Sequence, residues 1–172
     1  MIARQLPKFA EADQPNAQTR VLGAEGAQRL GAKLQKCVVS QRQYMLDVVT
    51  ALSVAPAPGT NPKVWVTTRF RVKPGKQQEF DKYLQTDVMP SVKRAVADGK
   101  AVGFIFARGG LGAPSNEGSV SRLQNKYADL DPGNPLASVM SAEASARMGA
   151  PLTEFAEGVE TTVSRVEENL NY

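Results

Sequence analysis

The sequence predicts an α+β protein, and three observations support this fold class. An internal repeat relates the two ends of the chain, the second part reads β-α-β-β-α-β, and a proline-rich segment precedes that part. The chain has 172 residues, of which 42% are hydrophobic, and a chain of this size can bury a core. We therefore expect one complete α+β unit preceded by a partial one.

The repeat appears when the chain is shifted by 118 residues. Lys8–Leu34 then aligns with Lys126–Leu152 without a gap, and 11 of 27 positions are identical, where average composition predicts about two by chance. The equivalent of Val64 would fall about 54 positions before residue 1, so the first copy enters at its middle. Residues 1–53 are thus predicted to be a partial first repeat, the β-α-β half of a unit. We interpret it as truncated, because chains rarely leave a sheet edge uncovered; the alternative is a half-unit completed by another chain.

Residues 54–62 contain three prolines, and neither a helix nor a paired strand accommodates that composition. They are predicted to be a linker. Residues 63–172 are then predicted to form the complete unit.

The first strand of this unit is predicted at Lys63–Val72, where apolar and polar residues alternate. The alternation places Trp65, Thr67, Arg69 and Arg71 on one face of the strand and Val64, Val66, Phe70 and Val72 on the other.

A helix should follow, because apolar residues recur every four positions from Phe80 to Val96. Pro90 lies inside this pattern and predicts a kink near Val88 and Met89. Three more strands and a second helix complete the unit, at Lys100–Arg108, Ser119–Asn125 and Gly158–Glu168 and at Leu136–Met148. This order is the split β-α-β of a ferredoxin-like unit, an antiparallel sheet with both helices on one face.

The other face of such a sheet needs cover, since we expect Trp65, Phe104 and Phe106 to be exposed on it. The segments RFRVKPGKQQEFDKYL (69–84) and NKYADLDPGNPL (125–136) resemble proteins of the dimeric α+β barrel superfamily. The resemblance covers residues 64–172 and, through the repeat, much of 1–53. It implies that paired ferredoxin-like units form a barrel, and that the chain is a homodimer. The superfamily includes antibiotic-biosynthesis-type monooxygenases, haem-degrading enzymes, lactone isomerases and many uncharacterised proteins, so the fold by itself assigns no activity.

The inner face of the sheet is the concave site that the sequence predicts. An apolar surface with a few cationic groups suits a planar, acidic or oxygenated aromatic ligand, with arginine as the orienting donor. The alternative is that the same side chains only fill the interface between two sheets. The residues expected to line the site are Trp65, Thr67, Arg69, Phe104, Phe106, Arg108, Arg122 and Arg165.

Two functions remain open at this stage. The first is a protein without assigned activity that assembles through its sheets and binds a small apolar or aromatic ligand. The second is a cofactor-independent monooxygenase or isomerase acting on an aromatic or polyketide-like substrate, with Trp65, Arg69 and Arg108 as positioning groups. Neither function requires a cofactor or a metal, and we expect none.

The composition excludes several classes of chemistry. The chain has no histidine, which rules out Ser/His/Asp and Cys/His catalysis and a histidine-ligated haem. Its single cysteine, Cys37, cannot form an intrachain disulfide and is expected to be buried. The net charge of +4 is spread along the chain, so no nucleic-acid interface is predicted. No signal peptide or membrane segment is visible, which favours a cytoplasmic location by default but leaves localisation open.

Three other patterns have structural explanations. The glycines of Gly109–Gly118 are typical of a hairpin loop rather than a phosphate cradle, because no Gly-Lys-Ser/Thr ending follows. Asp131 and Asn134 should cap a turn and a helix rather than join Asp129 and Glu143 in a cation site. Glu25 and Arg29 stand four residues apart, the spacing of a helical ion pair, and the repeat places Glu143 and Arg147 in the same relation.

Overall fold

The computed structural model describes residues 17–39, 45–139 and 153–166. The chain divides into two compact units, one containing residues 1–43 and 167–172 and the other Tyr44–Val166. In the described part of the first unit, helix α1 spans Ala17–Gln35, with non-helical backbone at Gly23. The ion pair predicted on this helix is confirmed, since Arg29 Nη2 lies 3.7 Å from Glu25 Oε2. Cys37, which follows the helix, is exposed rather than buried as expected.

The second unit contains a five-stranded antiparallel sheet and several helices in its described residues. The strands are β1 (Leu46–Val48), β2 (Val64–Val72), β3 (Gly103–Gly109), β4 (Glu117–Gln124) and β5 (Ala156–Arg165). The helices are α2 (Gln77–Tyr83), α3 (Met89–Ala97) and α4 (Pro135–Val139). Each strand predicted for the complete unit is present, with bounds that differ from the prediction by at most three residues.

The strand order across the sheet is β1-β3-β4-β2-β5, and every neighbouring pair is antiparallel. The four strands of the complete unit therefore appear in the order fourth, first, third, second. This is the order of a split β-α-β fold, so the predicted α+β, ferredoxin-like class is confirmed. The strand β1 adds a fifth member at the β3 edge, with Leu46 opposite Gly109 and Val48 opposite Ala107.

Helices α2 and α3 are joined by a π-helical segment, Leu84–Val88, at the place where the sequence predicts a kink. Pro90 has no backbone N–H, so it cannot continue an α-helical hydrogen-bond ladder there. The Met89 N–H instead reaches back to the Leu84 carbonyl, the wider spacing of a π turn. Beyond this segment, Met89, Val92 and Ala95 are buried against the sheet.

The core lies between the helices and one face of the sheet. Its strand residues are Phe70, Val72, Phe104, Phe106 and Ala156, and the helical segment supplies Phe80, Met89, Val92 and Ala95. Edge-to-face contact between Phe70 and Phe80, with centroids 5.2 Å apart, connects the two layers. We call this side of the sheet the helix face. The opposite side, which carries Trp65, Thr67 and Arg69, is called the tryptophan face.

The predicted linker 54–62 begins inside the sheet. Val54 exchanges two backbone hydrogen bonds with Phe104, of 2.7 and 2.9 Å, and the preceding Leu52 is 5% exposed in the core. Residues 45–53 thus belong to the compact unit that holds the sheet. The repeat boundaries at 53 and 63 remain predictions from the sequence.

Candidate functional site

The strand register decides which predicted site residues share a face. In β2 and β4, Trp65 stands opposite Leu123, Thr67 opposite Ser121 and Arg69 opposite Ser119. Directly opposed residues of an antiparallel pair point to the same side of the sheet. Trp65, Thr67 and Arg69 therefore lie together on the tryptophan face, as predicted.

The other predicted residues lie on the helix face, so the expectation that all eight line one face is wrong. Phe104 stands opposite Arg122, and Arg122 stands opposite Val66, which alternates with Trp65 along β2. The remaining residues of this set are Phe106, Arg108 and Arg165. The physical reason is that alternation fixes the faces within a strand, whereas the relation between strands depends on their register.

Phe104 and Phe106 are core residues. Each is 4% exposed, and the Phe106 ring stacks on Phe70 with centroids 6.0 Å apart. Their burial against the helices removes the expectation that they form an uncovered apolar surface.

Arg108 forms an ion pair on the helix face instead of joining Trp65 and Arg69. Its Nη2 donates to Oδ1 of Asp81, a helix α2 residue. Gln77 donates to the same oxygen at 3.0 Å, and the guanidinium carbon lies 5.8 Å from the centroid of the Phe106 ring. The three positioning groups considered for an enzyme are therefore divided between two faces.

Arg122 lies half-buried below the loop that precedes helix α4. Its Nη1 donates to the Gly133 carbonyl at 3.1 Å, and its Nε is buried without a partner among the described residues. Burial lowers the pKa of the Arg122 guanidinium from its ordinary value. Arg165, at the end of β5, is exposed and stands opposite Val64 in the register.

The centre of the tryptophan face is small and polar. The Thr67 and Ser121 hydroxyls share a hydrogen bond of 2.9 Å, and both residues are buried, as is Ser119. At the rim, Arg71 donates to Glu117 at 3.0 Å, which completes a cross-strand ion pair. Sequence reasoning missed the serines of β4, because only the register shows that they stand beside Thr67 and Arg69.

Trp65 contributes a buried indole N–H to this face. The residue is half-buried, and its indole Nε1 is buried without an acceptor among the described residues. A buried tryptophan N–H normally finds a partner. The tryptophan face thus offers an unused donor beside a polar centre.

Among the tyrosines that the structure describes, Tyr83 has a pKa that departs from its ordinary value. Its ring lies 6.4 Å from Phe80 and 5.7 Å from Phe155, between centroids. Burial, and secondly the charge of Asp87, raise the pKa of Tyr83 to about 12. The phenol therefore stays protonated at neutral pH.

The cap and the hairpin loop that the sequence predicts are both present in the structure. Asn134 Oδ1 accepts the Leu136 N–H at 3.0 Å and so caps helix α4, as predicted. Residues 110–116 form the hairpin loop between β3 and β4, with a turn in which Ala113 N donates to Gly110 O. Glu143 and Arg147 lie outside the described residues.

Within the described part of the chain, no three Asp, Glu or Cys side chains gather to hold a metal ion. No described helix is long and apolar enough to cross a membrane.

The fold and the site define an α+β protein with a split β-α-β sheet and a polar-centred tryptophan face. No family model matches the chain, and no curated protein matches it either. Among solved structures, it is similar to the crystal structure of a putative monooxygenase from Fusobacterium nucleatum subsp. nucleatum, with 9% sequence identity and a TM-score of 0.49. The match covers 86% of this chain and 65% of that one, so the chain spans about two-thirds of its length. A likeness of this size assigns neither a family nor an activity.

Proposed function

We propose that this chain is a ligand-binding protein. On this proposal a second copy packs on the exposed β1 edge of the tryptophan face, and a small aromatic ligand with an oxygen acceptor lies against Trp65. The observation that carries the proposal is the buried indole N–H of Trp65, which has no acceptor among the described residues. A ligand oxygen at this position would satisfy the donor and remove the cost of burying it unpaired.

The surroundings of Trp65 support this class of ligand. Thr67 and Ser121 satisfy each other's hydroxyls, so the polar centre of the face does not compete strongly for the ligand oxygen. Arg69, on the same face, supplies a cation four residues from Trp65 along β2. An aromatic body suits the indole ring, and one acceptor oxygen suits its N–H.

The edge of the tryptophan face supports assembly. Leu46 and Val48 of β1 share this face with Ala107 and Gly109, and they are 37% and 52% exposed. Exposed apolar side chains beside a polar centre are typical of a surface that packs on another protein surface. A second copy is the partner that the proposal names, because it presents the same exposed apolar edge and a two-fold contact can bury both edges together.

The ligand part of the proposal is tested with a matched pair of probes, 1-tetralone and tetralin, which differ by one carbonyl oxygen. We expect Trp65→Phe to weaken 1-tetralone binding about tenfold, the loss of one hydrogen bond. Tetralin affinity should change less than twofold. Isothermal titration calorimetry measures both affinities, and Tyr127→Phe, at an exposed aromatic outside the sheet, is the control variant.

Trp65 is the single tryptophan of the chain, so the unmodified protein gives a direct second readout. Its one indole N–H signal in a proton–nitrogen correlation spectrum should shift as 1-tetralone is added. Binding that leaves this signal in place, or no measurable binding of 1-tetralone, would contradict the proposal.

A further inference from the structure

Strand β5 forms one edge of the sheet, and its outer side is open to solvent. Among the described residues it pairs with β2 alone. Val159 and Val163 are 51% and 50% exposed, and Thr161 between them is exposed as well. The opposite edge strand, β1, has three residues, whereas β5 has ten. Strand β5 is therefore the longer of the two edges that another strand could join.

The pairing with β2 determines which backbone groups of β5 point outward. The Val166 N–H donates to the Lys63 carbonyl at 2.8 Å, and the register stays regular as far as Glu160 opposite Arg69, where a bulge follows. Because the hydrogen bonds of an antiparallel pair alternate along the strand, every second residue faces away from β2. The N–H and C=O groups of Thr161 and Val163 thus point outward.

The side chains of β5 define what kind of strand fits this edge. On the inner side, β2 places Val66 opposite Val163 and Arg69 opposite Glu160. A strand on the outer side meets the same two β5 side chains, so a β-branched residue and a cation are the matching partners there.

The charge of β5 favours a basic partner over a second copy of the same strand. Glu157 and Glu160 are both exposed, and the register places them opposite Arg71 and Arg69, on the tryptophan face. Arg71 is already paired with Glu117. The other residues of that face of β5 are Thr162 and Ser164, so a second β5 strand would bring two more carboxylates and no cation to this face.

We infer that β5 binds an extended basic segment of another protein, which adds to the sheet as a further strand. The segment runs antiparallel to β5 and exchanges hydrogen bonds with Thr161 and Val163. It places a lysine or arginine opposite Glu160. The inference goes beyond the proposed function, because neither Trp65 nor the β1 edge takes part.

The charge preference is tested with two acetylated and amidated heptapeptides, measured by NMR titration of the full chain. The first is Thr-Thr-Val-Thr-Thr-Lys-Val, whose lysine stands opposite Glu160 when its first valine stands opposite Val163. The second has glutamate in place of the lysine. We expect the lysine peptide to bind about threefold more tightly, because Glu160 attracts one peptide and repels the other. Glu160→Lys should reverse this preference.

The hydrogen bonds are tested at Thr161. Its N–H faces away from β2, so proline at this position removes a bond to the peptide without removing one from the sheet. We expect Thr161→Pro to weaken binding of the lysine peptide about tenfold. Thr161→Ala keeps the N–H and should bind it as the unmodified protein does. If Thr161→Pro changes the circular dichroism spectrum, the reversal by Glu160→Lys decides.

Amide hydrogen exchange reports the added strand directly. With the lysine peptide bound, the Thr161 and Val163 N–H groups should exchange more slowly, whereas those of Thr162 and Ser164, which face β2, should keep their rates. Val48→Lys, at the other edge of the sheet, should bind the peptide unchanged, which separates this inference from the proposed assembly.

Three results would overturn the inference. The first is exchange at Thr161 and Val163 that the peptide does not slow. The second is a Glu160→Lys protein that still prefers the lysine peptide. The third is protection of these two N–H groups before any peptide is added, which would show that a second copy of the chain occupies the edge.

Discussion

Ser53 shows how one side chain can replace a backbone group at a sheet edge. The 3₁₀ turn Thr50–Leu52 interrupts the extended segment that pairs with β3. It also directs the Leu52 side chain into the core. The Phe106 N–H then has no backbone acceptor in line, and it donates instead to Ser53 Oγ at 2.9 Å. The same hydroxyl donates to the Val49 carbonyl at 2.9 Å. Ser53 therefore bridges both sides of the interruption.

Removing this hydroxyl should destabilise the sheet unit. We expect Ser53→Ala to lower the free energy of unfolding by about 1 to 2 kcal/mol, because the Phe106 N–H loses its acceptor at a half-buried site. Urea denaturation followed by circular dichroism measures the change. Ser115→Ala, at an exposed position in the β3–β4 loop, should stay within about 0.5 kcal/mol of the unmodified protein. An equal effect in both variants would show that the Ser53 bridge contributes nothing.

At the scale of single elements, the contact between β4 and the aromatic core depends on a glycine. Gly118 stands opposite Phe70 in the register. A Cβ at this position would lie 2.6 Å from Cε2 and 2.8 Å from Cζ of the Phe70 ring. That ring is held by Phe80 and Phe106, so it has little room to move aside.

We expect Gly118→Ala to cost about 1 to 3 kcal/mol of stability, the usual penalty of overpacking a core. A control is Gly31→Ala in helix α1, where a Cβ meets nothing within 4 Å and alanine favours the helix. Thermal unfolding of both variants measures the difference. A Gly118→Ala protein that melts at or above the temperature of the unmodified chain would contradict the tight contact with Phe70.

The π-helical segment is an element-scale compromise between local and tertiary demands. The apolar spacing from Phe80 to Val96 favours one continuous helix packed on the sheet. Pro90 has no N–H, so it removes one hydrogen bond from the middle of that helix. The π turn accommodates the missing hydrogen bond, because the Met89 N–H donates to the Leu84 carbonyl instead. Beyond the turn, Met89, Val92 and Ala95 are buried in the core. Thr86 adds a local bond there, its hydroxyl donating to the Lys82 carbonyl at 3.0 Å.

At the scale of the whole molecule, the sequence relates the two edge strands of the sheet. The shift of 118 residues relates 43–49 to 161–167, and these segments contain β1 and the end of β5. In the sheet, β1 and β5 occupy the two outer edges. The five-stranded sheet thus has two edges, β1 and β5, where a further sheet could join.

The assembly part of the proposed function is tested at this scale. Light scattering at about 10 µM should give twice the 18.5 kDa mass of one chain. Val48→Lys should reduce the dimer, because an edge charge disfavours packing on another sheet. Val21→Lys, at a similarly exposed valine of α1, should leave the mass unchanged. A monomer in the unmodified protein, with a native circular dichroism spectrum, would refute the assembly.

The sequence by itself determined the local structure of the complete unit. Alternation in 63–72, the four-residue spacing after Phe80 and the glycine-rich loop are local patterns, and local patterns depend on backbone geometry that a few residues set. The position of the helix interruption at Pro90 and the cap at Asn134 were predictable for the same reason.

Only the tertiary structure decided how the candidate site is composed. Alternation could place Trp65, Thr67 and Arg69 together, because they belong to one strand. It could not place Phe104 or Arg122 relative to Trp65, because that relation depends on the register between strands and changes face with a shift of one residue. Likewise, Arg108 forms an ion pair with Asp81 of helix α2. Arg122 lies below the loop that precedes α4 and donates to the Gly133 carbonyl. The difference depends on which segment of the chain packs against each arginine.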